Sequence, residues 1–258
     1  MKKTDDRNIR LLKLLEEKRN LTVQEVADHF NVSLPTARRT CTQLAESGQV
    51  VRTHGGIRHI AKVGSDYSFD VLKNEHIDKK VQIAKYAAQL VQDKQTIFME
   101  AGTTIEQFAI ALSQRIRNNE VNGVSIYTNS IINLNVLSPV VNVTLIGGHY
   151  RPDRKDFCGF LCERLLRTLR FDYCFTGADA CNLTDGIMAI DVDTVSIDEI
   201  LVARSEHSVV LAHSDKFFKN SLISYAPMEQ VSLFITDKSL PQENYLQCKS
   251  AGVNLICV

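Results

Sequence analysis

The spacing of apolar positions divides this chain into a short helical part and a longer alternating part. In the first, Ile9, Leu11, Leu12, Leu14 and Leu15 mark an amphipathic helix within residues 1–20. Val23, Val26, Ala27 and Phe30 recur at helical spacing and predict a second helix with one buried stripe. Thr22 is placed to cap it, with Glu25 three residues on as the partner in a capping box. Asn31 suits the left-handed turn that follows. Ser33 then caps a third helix, and Pro35 sits in its first turn, where a missing N–H costs little. Ala37, Cys41 and Leu44 form that helix's apolar stripe, and Gly48 ends it. Residues 50–53 and 57–60 read as two short strands turned by Gly55-Gly56.

After residue 75 the rhythm changes. A long amphipathic helix is predicted over 76–91. Apolar strand-like runs follow at 96–99, 124–128, 141–146, 172–176, 208–212, 231–236 and 253–258. Helical patterns lie between them at 103–116, 131–137, 159–169, 194–204 and 242–251. Strands alternating with helices imply a largely parallel sheet covered on both faces. The expected architecture is a small N-terminal winged helix-turn-helix domain (1–60, with the helix-turn-helix at about 22–41). A polar linker (61–75) and a larger α/β domain with a mostly parallel sheet (76–258) follow.

The candidate chemistry falls in two places. The third helix leaves Ser33, Thr36, Arg38, Arg39, Thr40 and Gln43 as its polar positions, and the strand pair carries Arg52, His54 and Arg58. An Arg-Arg pair alone marks only a solvated helix face. On the second helix of a helix-turn-helix with a basic wing, it marks a major-groove reader with phosphate contacts beside it. In the larger domain, polar residues follow successive strands. They are Glu100-Ala101-Gly102-Thr103-Thr104, Asn129-Ser130, Gly147-Gly148, Gly177-Ala178-Asp179 and His213-Ser214-Asp215-Lys216. Ligands of such sheets bind at the carboxyl ends of the strands. Taken singly, each stretch is a cap, a turn or a solvated charge. Together they predict a polar small-molecule site built from Glu100, Gly102, Thr103, Thr104, Asn129, Gly147, Gly148, Asp179 and Lys216. Lys216 and Thr103 are its expected phosphate contacts.

Composition sharpens this division. The 258 residues carry no net charge, but residues 1–62 hold 12 Lys and Arg against 7 Asp and Glu, a net of +5. The remainder holds 18 against 23, a net of −5, so a basic head precedes an acidic body. The seven cysteines are scattered without CxxC spacing, which points to no zinc site and no disulfide framework. Most sit in apolar runs and read as buried small hydrophobes in a reducing cytosol. The charged first ten residues do not resemble a signal peptide, and no apolar run spans a bilayer. The expectation is a cytoplasmic protein with no membrane partner, no metal and no cofactor.

These residues resemble the DeoR family of bacterial regulators of sugar metabolism, and the likeness covers essentially the whole chain. Its most specific pieces are Ala37-Arg38-Arg39, Arg52-Thr53-His54-Gly55-Gly56, Glu100-Ala101-Gly102-Thr103-Thr104, Thr128-Asn129, Gly147-Gly148, Gly177-Ala178-Asp179 and Asp215-Lys216. The resemblance implies a homo-oligomeric transcription factor, dimer or tetramer, usually a repressor. Its sensor would be related in fold to ribose-5-phosphate isomerases. The sensor would bind a phosphorylated sugar or related metabolite, and so release double-stranded operator DNA. The chain departs from the family pattern at Thr40, where an acidic residue is usual, and at Glu100, where many members have Asp. Thr194 and Ser196 stand near Val195 where many have Glu and Lys, and His213 replaces smaller or acidic choices. The rival class is an isomerase with Asp179 as its base. No Gly-rich segment with a paired Glu and Lys supports it, and fold analogy alone does not carry catalysis. A DNA-binding architectural protein without a ligand is a third class. The expectation is a regulator, not an enzyme.

Overall fold

The computed structural model describes residues 8, 10–12, 14–15, 20–46, 50–52, 55–59 and 68–258. The chain divides into two compact units, Met1–Ser65 and Asp66–Val258. Among the residues named above, Ile9, Gly48, Thr53, His54, Ile60 and the linker's 61–67 lie outside the described residues.

In the first unit, β1 (Asn20–Thr22) leads into α1 (Val23–Phe30) and α2 (Leu34–Glu46), followed by β2 (Val50–Arg52) and β3 (Gly56–His59). The apolar stripes meet in one core of Leu11, Leu15, Leu21, Val26, Ala37, Cys41, Leu44 and Ile57. Each fully buried large aliphatic side chain there contributes about 1.5–3 kcal/mol. The capping box forms as the spacing predicts. The Thr22 hydroxyl accepts from Glu25 N–H at 3.1 Å, and the Glu25 carboxylate accepts from Thr22 N–H at 2.7 Å. Asn31 takes the left-handed conformation at φ 49° and ends α1. The wing has a third strand that the apolar pattern did not announce, because β1 pairs antiparallel with β3. A Cβ at position 56 would lie 2.0 Å from the Leu21 carbonyl oxygen, so this pairing requires glycine.

In the second unit a seven-stranded sheet forms from β4 (Thr96–Met99), β5 (Ser125–Thr128), β6 (Val143–Leu145), β9 (Phe171–Thr176), β12 (Ser205–Leu211), β14 (Leu233–Thr236) and β15 (Leu255–Cys257). Its order is β15-β14-β12-β9-β4-β5-β6, and every pairing is parallel. Side chains alternate across it, as a sheet buried on both faces requires. Ile97 and Met99 pack with Ile83 and Ala87 of α4 (Ile77–Leu90) and Ile105 and Phe108 of α5 (Thr103–Arg117). Phe98 packs in a separate cluster with Cys162 of α7 (Phe160–Leu166) and Ile197 and Leu201 of α8 (Val192–Arg204). A remaining cluster gathers Val210 and Phe234 with Cys248 of α9 (Gln242–Ser250). All seven cysteines are free, and all but Cys257 are buried.

Three pieces differ from the sequence reading. A hairpin of β7 (His149–Arg151) and β8 (Asp156–Cys158) crosses one end of the sheet. An antiparallel sheet forms from β10 (Ala180–Asn182), β11 (Gly186–Ala189) and β13 (Ile223–Ala226). These strands span three or four residues, too short for an alternating pattern to register. The linker expected over 61–75 also ends early. Phe69–Leu72 forms a helical turn, α3, with Phe69 buried and its N–H donating to the Asp153 carbonyl at 2.8 Å. No helix among the described residues is long and apolar enough to cross a membrane.

The sheet order fixes where a site can form. From β4 the chain proceeds outward through β5 and β6 (α6, Ile131–Leu137, lies between them), then returns to β9 on the other side of β4. The crevice between β4 and β9 is therefore a topological switch point, where ligands of parallel sheets bind.

Candidate functional site

On α2, Arg38, Arg39 and Gln43 are exposed and Thr36 is half-buried, while Ala37, Cys41 and Leu44 are buried behind them. Ser33 is exposed and its hydroxyl meets that of Thr36 at 2.9 Å. Thr40 does not face outward. It is 5% exposed, and its hydroxyl donates to the Thr36 carbonyl at 3.1 Å, so the expectation that it meets DNA is corrected. Positions 37, 40, 41 and 44 follow i, i+3, i+4, i+7, which puts Thr40 inside the apolar stripe. In the wing, β2 and β3 pair antiparallel with Arg52 opposite Ile57 and Val51 opposite Arg58. The Arg52 and Arg58 side chains, like all of His54, lie outside the described residues.

In the second unit a cleft of about 410 Å³ opens at the carboxyl ends of β4, β9 and β12, a size usual for small-molecule sites. Glu100, Gly102, Thr103, Thr104, Asp179 and Lys216 line it, as the strand-end reading predicts. Gly102 has φ 152°, which lets the chain turn from β4 directly into the start of α5. Thr103 and Thr104 are buried there at the helix N-terminus. The Glu100 backbone is held from the side. Asn133 Nδ2 donates to its carbonyl at 2.9 Å, and its own N–H donates to the Phe175 carbonyl at 2.9 Å.

Asn129, Gly147 and Gly148 do not line the cleft, which corrects their assignment to the ligand. They follow β5 and β6, which continue outward from β4 away from the switch point. Asn129 is fully buried and its Nδ2 donates to the Phe157 carbonyl at 3.1 Å, fastening β8 to the sheet. A Cβ at Gly148 would lie 2.4 Å from the Cys158 carbonyl oxygen, so glycine serves the close approach of the hairpin. Asp179 does both jobs. It lines the cleft, and its Oδ2 accepts from Ile190 N–H at 3.0 Å.

The structure adds lining residues that the strand-end pattern misses, chiefly Lys80, Arg154 and Asp198, and it brings His213 of the strand-end stretch 213–216 into the lining as well. Lys80 comes from α4 and is 3% exposed, with Nζ donating to the Leu72 carbonyl at 2.7 Å. Burial pulls its ammonium down to about 8, with Lys216 adding to that effect. Among the described residues neither Lys80 nor Lys216 has a carboxylate oxygen within 4.0 Å. Opposite in character are Glu100 and Asp198, 4% and 2% exposed. Burial pushes Glu100 up to about 8, against the pull of Arg154. Burial and then the charge of Glu100 raise Asp198 well above the carboxylate range. Beside them the hairpin brings a compensated network. Arg151 grips Asp156 through paired bonds of 2.7 and 2.6 Å and reaches Asp191 at 2.6 Å, and Arg154 meets Asp191 at 3.0 Å. Asp191 also caps α8 by accepting from Thr194 N–H at 2.9 Å.

Metal-ligand chemistry gathers at the cleft mouth, where ligand atoms of His76, His213 and Asp215 lie within 4.8 Å of one another. His213 is buried, and its imidazole is pushed down to about 4, so it is neutral at pH 7. Asp215 is already paired with Lys79 at 2.8 Å. That ammonium takes up the charge a cation would need, so the trio reads as a hydrogen-bonded rim.

The sequence matches the DeoR C terminal sensor domain over residues 75–238 and the DeoR-like helix-turn-helix domain over residues 7–63. It is 27% identical to the HTH-type transcriptional regulator GlpR of Haloferax volcanii, over 97% of this chain and 96% of that one. It is 27% identical to the HTH-type transcriptional regulator IolR of Bacillus subtilis, over 91% and 92%. It is also 27% identical to the HTH-type transcriptional repressor CsqR of Escherichia coli, over 97% and 94%. Among solved structures, ribose 5-phosphate isomerase A from Methanocaldococcus jannaschii superposes with a TM-score of 0.42, at 22% identity over 56% of each chain.

Proposed function

Because the chain belongs to the DeoR family of transcriptional regulators, we propose that it represses a carbohydrate catabolic operon and is released from operator DNA by a phosphorylated sugar or related metabolite. The observation that carries this reading is the pairing, in one cleft, of Lys80 and Lys216 with the N-terminus of α5 at Thr103 and Thr104. Two ammonium groups with no carboxylate oxygen within 4.0 Å among the described residues, beside the N–H groups of a helix N-terminus, suit a phosphate. Glu100 and Asp179 suit hydroxyl groups of the attached sugar. The name of the relative CsqR supports the repressor sense.

In this reading residues 1–60 hold DNA and residues 76–258 sense the effector. Ser33, Thr36, Arg38, Arg39 and Gln43 present the recognition helix, while Arg52, His54 and Arg58 supply the wing. The protein acts in the cytoplasm as a homodimer or homotetramer, so two recognition helices meet half-sites spaced by helical turns. The effector favours a state in which those helices are misplaced, because a ligand shifts an equilibrium only by its differential affinity.

The test is a thermal-shift panel of phosphorylated sugars beside their unphosphorylated forms, followed by operator-binding assays with any hit. A rise in melting temperature confined to phosphorylated compounds, with loss of operator affinity, is expected. Stabilisation by neutral sugars alone would remove the phosphate assignment.

A further inference from the structure

The charges lining the cleft fall into two groups that do not compensate each other. The charged groups acting on Lys80 are Glu75, Lys216 and Glu106. Those acting on Asp198 are Glu100, Arg154, Asp179 and Asp191. On the acidic side the guanidinium groups are already spoken for. Arg151 pairs with Asp156 and Asp191, and Arg154 pairs with Asp191. Among the described residues, no cationic nitrogen lies within 4.0 Å of a carboxylate oxygen of Glu100, Asp179 or Asp198. Asp198 is 2% exposed, lines the cleft, and its Oδ1 has no hydrogen-bond partner among the described residues. A buried acceptor of that kind costs free energy until a donor arrives.

A ligand carrying only hydroxyl groups would satisfy single acceptors but would not offset the charge of the two carboxyls when they ionise. A ligand carrying an ammonium group would meet both needs. Resting on the phosphorylated-effector reading above, we propose that Glu100 and Asp198 select, among phosphorylated sugars, those that also bear a protonated amine. The effector class is then an amino-sugar phosphate, with its phosphate toward Lys80 and Lys216 and its amine toward Asp198. The two charged groups of such a molecule match the cationic and the acidic residues that line the cleft.

This selection has a proton signature. Glu100 and Asp198 face each other's charge and those of Arg151, Arg154, Asp156, Asp179 and Asp191, with the Tyr225 phenol packed beside them. Empty, the pair retains a proton at neutral pH because both carboxyls are buried. An arriving ammonium stabilises the doubly ionised pair, and the retained proton leaves to the buffer. A hydroxyl group leaves it where it is.

Calorimetry on the full-length protein decides the matter. The probes are glucosamine 6-phosphate against glucose 6-phosphate, galactosamine 6-phosphate against galactose 6-phosphate, and inorganic phosphate alone, in buffers of differing ionisation enthalpy. The expected result is that an amine-bearing member binds at least about tenfold tighter than its hydroxyl twin and releases a proton. The substitution Asp198→Asn, which keeps shape and removes charge, should bring that ratio toward one. Equal affinity within each pair, or tighter binding of the hydroxyl twin, overturns the amine assignment and leaves the anion cleft standing. No binding of any probe, inorganic phosphate included, overturns the phosphorylated-effector reading itself and the amine assignment with it. Should Asp198→Asn fail to fold, the wild-type ratio and proton count still decide.

Discussion

Lys80 reaches back along its own segment to Leu72, its buried Nζ donating to that carbonyl at 2.7 Å. One backbone oxygen accounts for one of three ammonium donors, and the others remain for the cleft that Lys80 lines. Because burial holds this ammonium down to about 8, its charge is lost as pH rises through that value. An anionic effector needs the charged form. Its affinity should therefore be greatest below pH 8 and fall between pH 7.5 and 9, by at most about tenfold per pH unit. Lys80→Met should weaken effector binding, flatten that profile, and leave operator binding intact. A profile unchanged in the variant would place the phosphate elsewhere.

The carboxyl of Glu100 titrates in the opposite sense, as a stability effect. Its folded value near 8 lies above the ordinary 4.5, so the folded state holds a proton that the unfolded chain has released. That contribution is fully present below about pH 4.5 and disappears as pH rises through about 8. Stability should fall across this window, with a slope of up to about 1.4 kcal/mol per pH unit from one such group. Asp198, raised by the same burial, adds to the fall. Glu100→Gln should flatten it. Chemical denaturation of both proteins at pH 5, 6.5 and 8 measures the difference, and parallel curves would show that Glu100 is ionised throughout.

Much of this site was legible from strand ends. Glu100, Gly102, Thr103, Thr104, Asp179 and Lys216 were found because a parallel sheet places ligands at its carboxyl edge. The same rule overreached at Asn129, Gly147 and Gly148. Strand order, which sequence does not disclose, puts β5 and β6 away from the switch point. Lys80 escaped notice because a lysine on an amphipathic helix reads as solvated until the turn at Phe69–Leu72 is seen to cover it. Arg154 depends on a hairpin whose strands are three residues each. Asp198 needed the packing of α8, where it shares a buried face with Val195 and Leu201. Thr40 was legible and misread. Its spacing placed it in the core stripe, and its hydroxyl argued for the outside.

The hairpin that carries Arg154 is held by Asp156, fully buried and bonded to Arg151 at 2.7 and 2.6 Å. Asp156→Ala leaves the Arg151 guanidinium, 14% exposed, without its two-pronged partner. Breaking one side of a buried pair costs about 3–5 kcal/mol. Thermal denaturation should show a loss of that order, together with weaker effector binding as Arg154 loses its anchor. A loss below about 1 kcal/mol would mean that Asp191 alone can hold both arginines.

Arg38 and Arg39 stand exposed on α2, with Cys41 and Leu44 holding the helix from behind. Neither arginine contributes to the core, so replacement by alanine should leave folding unchanged and act on DNA alone. If an arginine reads guanine in the major groove, Arg38→Ala or Arg39→Ala costs about 1–3 kcal/mol and relaxes specificity at one base pair. If it meets only phosphate, affinity falls alike for all sequences and the salt slope drops by about one. Thr40→Val is the internal control. It keeps the buried shape, removes the bond to the Thr36 carbonyl, and should change stability by no more than about 1 kcal/mol. Its operator affinity and base preference should match the parent. Operator titrations at several salt concentrations read all three variants. A change of base preference in Thr40→Val would require this buried residue to reach the groove, and with it a different orientation of α2 on DNA.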